Sequence, residues 1–288
     1  MDFFLIAAES ERKFHLPRIP AQRKRWIMSG MTNLAAKDRL PPVDDLLAFI
    51  LRFVQDPGRR EEMVVPKERR EEFLLLFGLT HRVRRLAQAY TRLTKGGFEV
   101  EGQILVRSAM EHAVTAQWAH LAKDGVEQLK VSATNDQYSF VKLLTEYSSA
   151  PDAEALSDAY KARVIEGPKL PRITEMFGRL DNNGFLRTSY KVLSQVTHVT
   201  HEATLDALKV EDDGAVSLLL HPTTETGHQT LYALTSSCLL AAWVIAHIEG
   251  ATGELRKLAQ VASDLSMPYR LDPSLPEADR RFQMINYE

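Results

Sequence analysis

Two stretches of the chain carry side chains able to do chemistry at helical spacing. In the first, Arg107 and Glu111 stand four residues apart, which places them on one face of an α-helix. A 100° wheel puts Ile104, Arg107, Glu111, Val114 and Trp118 in one narrow arc. The opposite arc holds Val106, Ala109, Ala113 and Ala116, small residues suited to close helix contact. Both faces are core-like, and charges inside a core must be paired and hydrogen-bonded. In the second stretch, Leu186, Tyr190, Leu193, Thr197 and Leu208 define one face. Val192, Val196, Val199 and Ala203 define another, with Ser194, His198 and His201 in a polar stripe of about 60° between them. Three polar groups side by side on a doubly apolar helix need partners.

Several chemistries fit these residues. A metal site would use His198 and His201 with Glu111, although the two Glu-x-x-His pairs that di-iron bundles require are not both present. A serine hydrolase would use Ser194 with His198, but both side chains project in parallel from one helix and no strand-to-helix elbow presents the serine. RNA cleavage of the kind found in helical HEPN proteins needs an Arg followed four to six residues later by His, a spacing met by Arg107 and His112. His112 lies about 140° round the helix from Arg107, so His198 is the better acid/base and Arg107 the phosphate clamp in that reading. The other alternative is a buried polar network that holds helix register.

The supporting elements are helices. After Pro41-Pro42, Asp44 can cap a helix to about residue 56, ended by Pro57-Gly58. Pro66 opens a second helix, rich in Glu at its start and stopped by Gly96-Gly97. A third spans about 98–123, with further helical patterns over 127–148, 152–165, 171–180, 184–209, 226–249 and 252–264. Asp213-Gly214 between residues of strand character marks a short β-hairpin. The expected fold is therefore all-α: a bundle of about eight or nine helices over 41–266, with one hairpin insertion, an N-terminal arm over 1–40 and a C-terminal arm over 267–288. Pro17 and Pro20 interrupt the first arm, and Arg18, Arg23, Lys24 and Arg25 make it basic.

A chain of 288 residues can bury a substantial core, and a net charge of −2 gives no global pull toward nucleic acid or anionic lipid. Cys238 is the lone cysteine, which leaves no disulfide framework and fits a reducing cytoplasm. The apolar run at residues 3–8 is too short for a signal-peptide core. Residues 231–248 lack Lys, Arg, Asp and Glu, yet Thr235, Ser236, Ser237 and His247 favour a buried central helix over a membrane span.

The run Leu105-Val-Arg107-Ser-Ala-Met-Glu111-His-Ala-Val-Thr-Ala-Gln-Trp118 resembles the Arg-Ser-x-x-Glu helix of a widespread bacterial helical family catalogued as a domain of unknown function. Tyr190-Lys-Val-Leu-Ser194-Gln-Val-Thr-His198 resembles its second signature, with Tyr, Ser and His at four-residue intervals. The resemblance covers roughly residues 60–250 and implies that Arg107, Glu111, Tyr190, Ser194 and His198 converge inside the bundle. Candidate catalytic residues are then Arg107, Glu111 and His198, and candidate ligand-binding residues Tyr190, Ser194, His201 and Trp118. No cofactor is named by these residues. Near-zero net charge and the lack of a strong catalytic motif favour a binding or assembly module, with self-association through the arms as the expected partner mode and RNA as the alternative partner.

Overall fold

The computed structural model describes residues 40–55, 65–147, 152–181, 184–197, 208–210, 215–219 and 226–271. The chain divides at Leu40 into two units, and every described residue belongs to the second. Among the described residues there are nine α-helices: α1 (Val43–Gln55), α2 (Arg70–Lys95), α3 (Glu99–Leu121), α4 (Gly125–Glu146), α5 (Ala153–Lys161), α6 (Ile173–Leu180), α7 (Phe185–Thr197), α8 (Gly227–Glu249) and α9 (Thr252–Asp264). A 3-10 turn at Lys67–Arg69 leads into α2. Strands β1 (Leu208–Val210) and β2 (Val216–Leu218) pair antiparallel, with Leu208 opposite Leu218. The Asp213-Gly214 turn expected between them lies outside the described residues. The all-α bundle with its small hairpin is thus as the helical periodicity requires.

Several boundaries differ from expectation, and the helix read over 152–165 ends at Lys161. The helix read over 184–209 cannot continue that far, because residues 208–210 are already strand. Asp44 stands inside the first turn of α1 rather than before it, so it acts on the helix dipole while the Pro42 carbonyl accepts from the Asp45 and Leu46 amides at 3.1 and 3.2 Å.

α2 and α3 form an antiparallel pair whose turn is set by Gly97 at φ 80°. The Phe98 amide donates to Leu93 O (3.0 Å) and the Gly97 amide to Thr94 O (3.2 Å), the two bonds of a Schellman ending. α8 packs against α1, α2, α3, α7 and α9. It is long and apolar enough to cross a membrane, but 83% of its apolar window is buried inside the bundle. Trp243, Leu234, Leu239, Leu240 and Ile248 are the large core side chains it supplies. α3 is the other hub, touching α2, α4, α6, α7 and α8. Residues just past α9 also enter the core: Met267 and Leu271 are buried, and the Leu271 amide donates to Gln117 Oε1 at 3.2 Å. The C-terminal arm expected from 267 therefore begins inside the bundle.

A polar cluster on α3 and α7, beside an open groove

α7 owes its place to its first turn, where the Asp181 carboxylate accepts from the Arg187 amide at 2.9 Å. Leu186, Ser189, Tyr190 and Leu193 then form its buried side, and the Tyr190 ring lies 5.2 Å from that of Phe177 on α6. This seating delivers the Tyr190 hydroxyl to α3. The hydroxyl donates to Glu111 Oε1 at 2.8 Å and accepts from Arg107 Nη2 at 3.1 Å. Arg107 Nε lies 3.4 Å from Glu111 Oε1, its Nη1 donates to the Thr197 hydroxyl, and its guanidinium carbon sits 5.1 Å from the centre of the Tyr190 ring. Burial lifts the Tyr190 phenol above its ordinary pKa and Glu111 adds to this, while the Arg107 hydrogen bond opposes it. The phenol is accordingly a donor at neutral pH.

Arg107, Glu111 and Tyr190, singled out from spacing and resemblance, are thus in direct contact, and Thr197 joins them. The cluster is not fully buried as expected. The Arg107 side chain is 19% exposed and that of Glu111 37%, and Ile104, one turn earlier, is exposed. The arc from Ile104 to Trp118 runs from solvent into core, since Val114 and Trp118 are buried. Ser194 is half-buried, and its hydroxyl donates to the Tyr190 carbonyl of its own helix at 2.7 Å. Trp118 belongs elsewhere: about 16 Å along α3 from Arg107, it donates to Gln128 Oε1 of α4 at 2.9 Å and has the Arg179 guanidinium 5.8 Å from its ring. It is buried and does not share the Arg107–Glu111–Tyr190 cluster. His112 turns back to the Ser108 carbonyl (2.7 Å) on its own helix, so the Arg107–His112 pair does not converge. His198 and His201 lie outside the described residues.

Glu111 also faces a groove of about 450 Å³. Thr115 of α3 and Ser132 and Asp136 of α4 form its polar walls, with Lys169 at the rim. Leu170, Pro171, Ile173 and Met176 form the apolar side. The strand of chain leading to α6 is pinned there by the Leu170 amide, which donates to Ser132 Oγ at 2.8 Å.

A second network escaped sequence reading. His120 Nδ1 lies 2.7 Å from Glu72 Oε1, and His120 Nε2 lies 2.8 Å from His247 Nδ1. Glu72 and His120 are buried, and Trp243 stacks on the His247 ring at 4.8 Å. Burial first, then the His120, Arg69 and Arg270 side, pushes the His247 pKa from 6.5 down to about 4, with Glu72 opposing. These residues come from α2, α3 and α8. The available signal was a histidine in a helix without a formal charge over 231–248, but its partners are fixed only by packing. Among the described residues no group of three or more His, Cys, Asp or Glu is arranged to hold a metal ion.

Fold and site together define an all-α bundle with an Arg–Glu–Tyr cluster at the edge of a groove. Residues 73–215, just under half of the chain, match the model of a family described as a family of unknown function (DUF5677). Both motif runs, 105–118 and 190–198, fall inside the matched segment. No curated protein and no solved structure matches the chain.

Proposed function

We propose that the protein is a binding and assembly module, and that the groove beside Glu111 receives a short polar segment of a partner protein. The observation that carries this is the double duty of Glu111, held by Tyr190 and Arg107 on one side and lining the groove on the other. The groove pairs an apolar wall with both signs of charge, Asp136 and Glu111 against Lys169, as peptide-binding surfaces do. Such a lining suits backbone donors and acceptors better than a polyanion. A cytoplasmic setting suits the lone, buried thiol of Cys238.

Selection of a displayed peptide library against the wild-type chain tests the reading. Peptides that bind wild type and fail on Asp136→Lys are expected. Peptides that bind both equally well would place the site elsewhere.

One contact favours a second reading, RNA cleavage with His198 as acid/base and Arg107 as clamp. Thr197, the residue before His198, is bonded to Arg107. Against it stands the engagement of the guanidinium by Thr197, Tyr190 and Glu111. Incubation with single-stranded RNA should leave it intact. Cleavage that disappears in His198→Ala would replace the binding reading with the nuclease one, and sensitivity of that cleavage to EDTA would bring in the metal site of His198, His201 and Glu111.

A further inference from the structure

The second half of α4 presents a row of large apolar side chains to solvent: Phe140 (61% exposed), Leu143 (51%), Leu144 (53%) and Tyr147 (85%). Their spacing of three and four places them in one stripe of about 100°. The next helix, α5, packs on α4, is nine residues long and has no fully buried residue. A helix that short is not stable on propensity and needs tertiary cover. From these observations we infer that the stripe is the contact surface of a homodimer, in which α4 of one copy packs antiparallel on α4 of another about a dyad between Leu143 and Leu144.

Area and charge select a second copy as the occupant. With whole aromatic side chains contributing about 150–250 Å² each, the four residues leave on the order of 500 Å² of apolar surface per copy. Two copies would bury on the order of 1,000 Å², the lower bound for a specific interface. The stripe is flanked by Gln137 on one side and by Ser139 and Glu146 on the other, with Lys142 further round the helix; about a Leu143–Leu144 dyad, Glu146 of one copy comes nearly level with Lys142 of the other. The same surface can therefore meet itself without like charges in register. Asp136, one turn before Phe140, is the charge in line with the stripe. Antiparallel pairing about the Leu143–Leu144 dyad sets the two Asp136 side chains about 22 Å apart, whereas parallel pairing would bring them together. A membrane surface would instead call for a Lys/Arg rim.

The inference shares Asp136 with the groove reading, so it is tested on the full chain at positions outside that groove. Sedimentation equilibrium of wild type is expected to give a dimer at micromolar concentration, and Leu144→Glu a monomer with wild-type helicity. Should Leu144→Glu fold poorly, cross-linking decides. A short bismaleimide should join copies of Leu144→Cys and leave Lys142→Cys monomeric. A wild-type monomer up to about 100 µM overturns the inference. So does a dimer that survives Leu144→Glu, or equal cross-linking at both positions.

Discussion

The Tyr190 hydroxyl joins two charged residues four apart on α3 to a different helix, and together with the Arg107–Thr197 bond it links α7 to α3. Tyr190→Phe keeps the ring against Phe177 and removes one bond to Glu111 and one from Arg107. Because both partners are charged and half-buried, the expected loss is about 1–2 kcal/mol. In thermal melting that is a fall of several degrees for a domain of this size. An unchanged melting temperature would mean that water replaces the hydroxyl without loss. In the proposed reading Glu111 serves both architecture and binding, so Asp136, which lines the same groove without joining the cluster, is the cleaner probe of ligand contact.

At the scale of elements, helix endings and the central helix invite two substitutions. α9 ends as α2 does, with Met267 N to Ala262 O at 2.8 Å and Ser266 N to Ser263 O at 3.0 Å, but the left-handed position is occupied by Ser266 at φ 48° rather than by glycine. A Cβ there is strained. Ser266→Gly should raise stability by up to about 1 kcal/mol, with the entropy of an added glycine limiting the gain. A urea midpoint that drops would show that the serine is held there by a contact worth more than the strain. In α8, the Thr235 hydroxyl is buried and has no hydrogen-bond partner among the described residues. Thr235→Val keeps the shape and removes a desolvated polar group, so it should stabilise the fold by about 1 kcal/mol. Destabilisation in the same denaturation experiment would point to a partner for the hydroxyl.

At the scale of the whole molecule, the Glu72–His120–His247 chain joins α2, α3 and α8, the three helices around which the rest packs. Its protonation therefore reaches global stability. His247 in the folded protein titrates near 4 instead of 6.5, so the unfolded chain takes up a proton first as pH falls. The contribution is complete above pH 6.5 and is lost as pH drops toward about 4. With solvent screening of a half-exposed ring, the loss is on the order of 1–2 kcal/mol. Urea midpoints measured from pH 7.5 to 4 should decline through this window in wild type and decline less in His247→Phe. Parallel declines in the two proteins would remove His247 as the cause.

Helix periodicity, Gly and Pro punctuation and the Asp-Gly signal carried the element order, the all-α class and the hairpin, because these depend on residues within a few positions of one another. The i, i+4 spacing of Arg107 and Glu111 likewise put both on one face before any packing was known. Resemblance supplied the pairing of that face with Tyr190. Depth was another matter: whether a face is core or rim depends on which helix covers it. Ile104 and Trp118 share an arc, yet one is exposed and the other buried. The Glu72–His120–His247 chain shows the limit most clearly. Its members are 48 and 127 residues apart along the chain, and only the packing of α2, α3 and α8 sets a carboxylate and two imidazoles within hydrogen-bond reach.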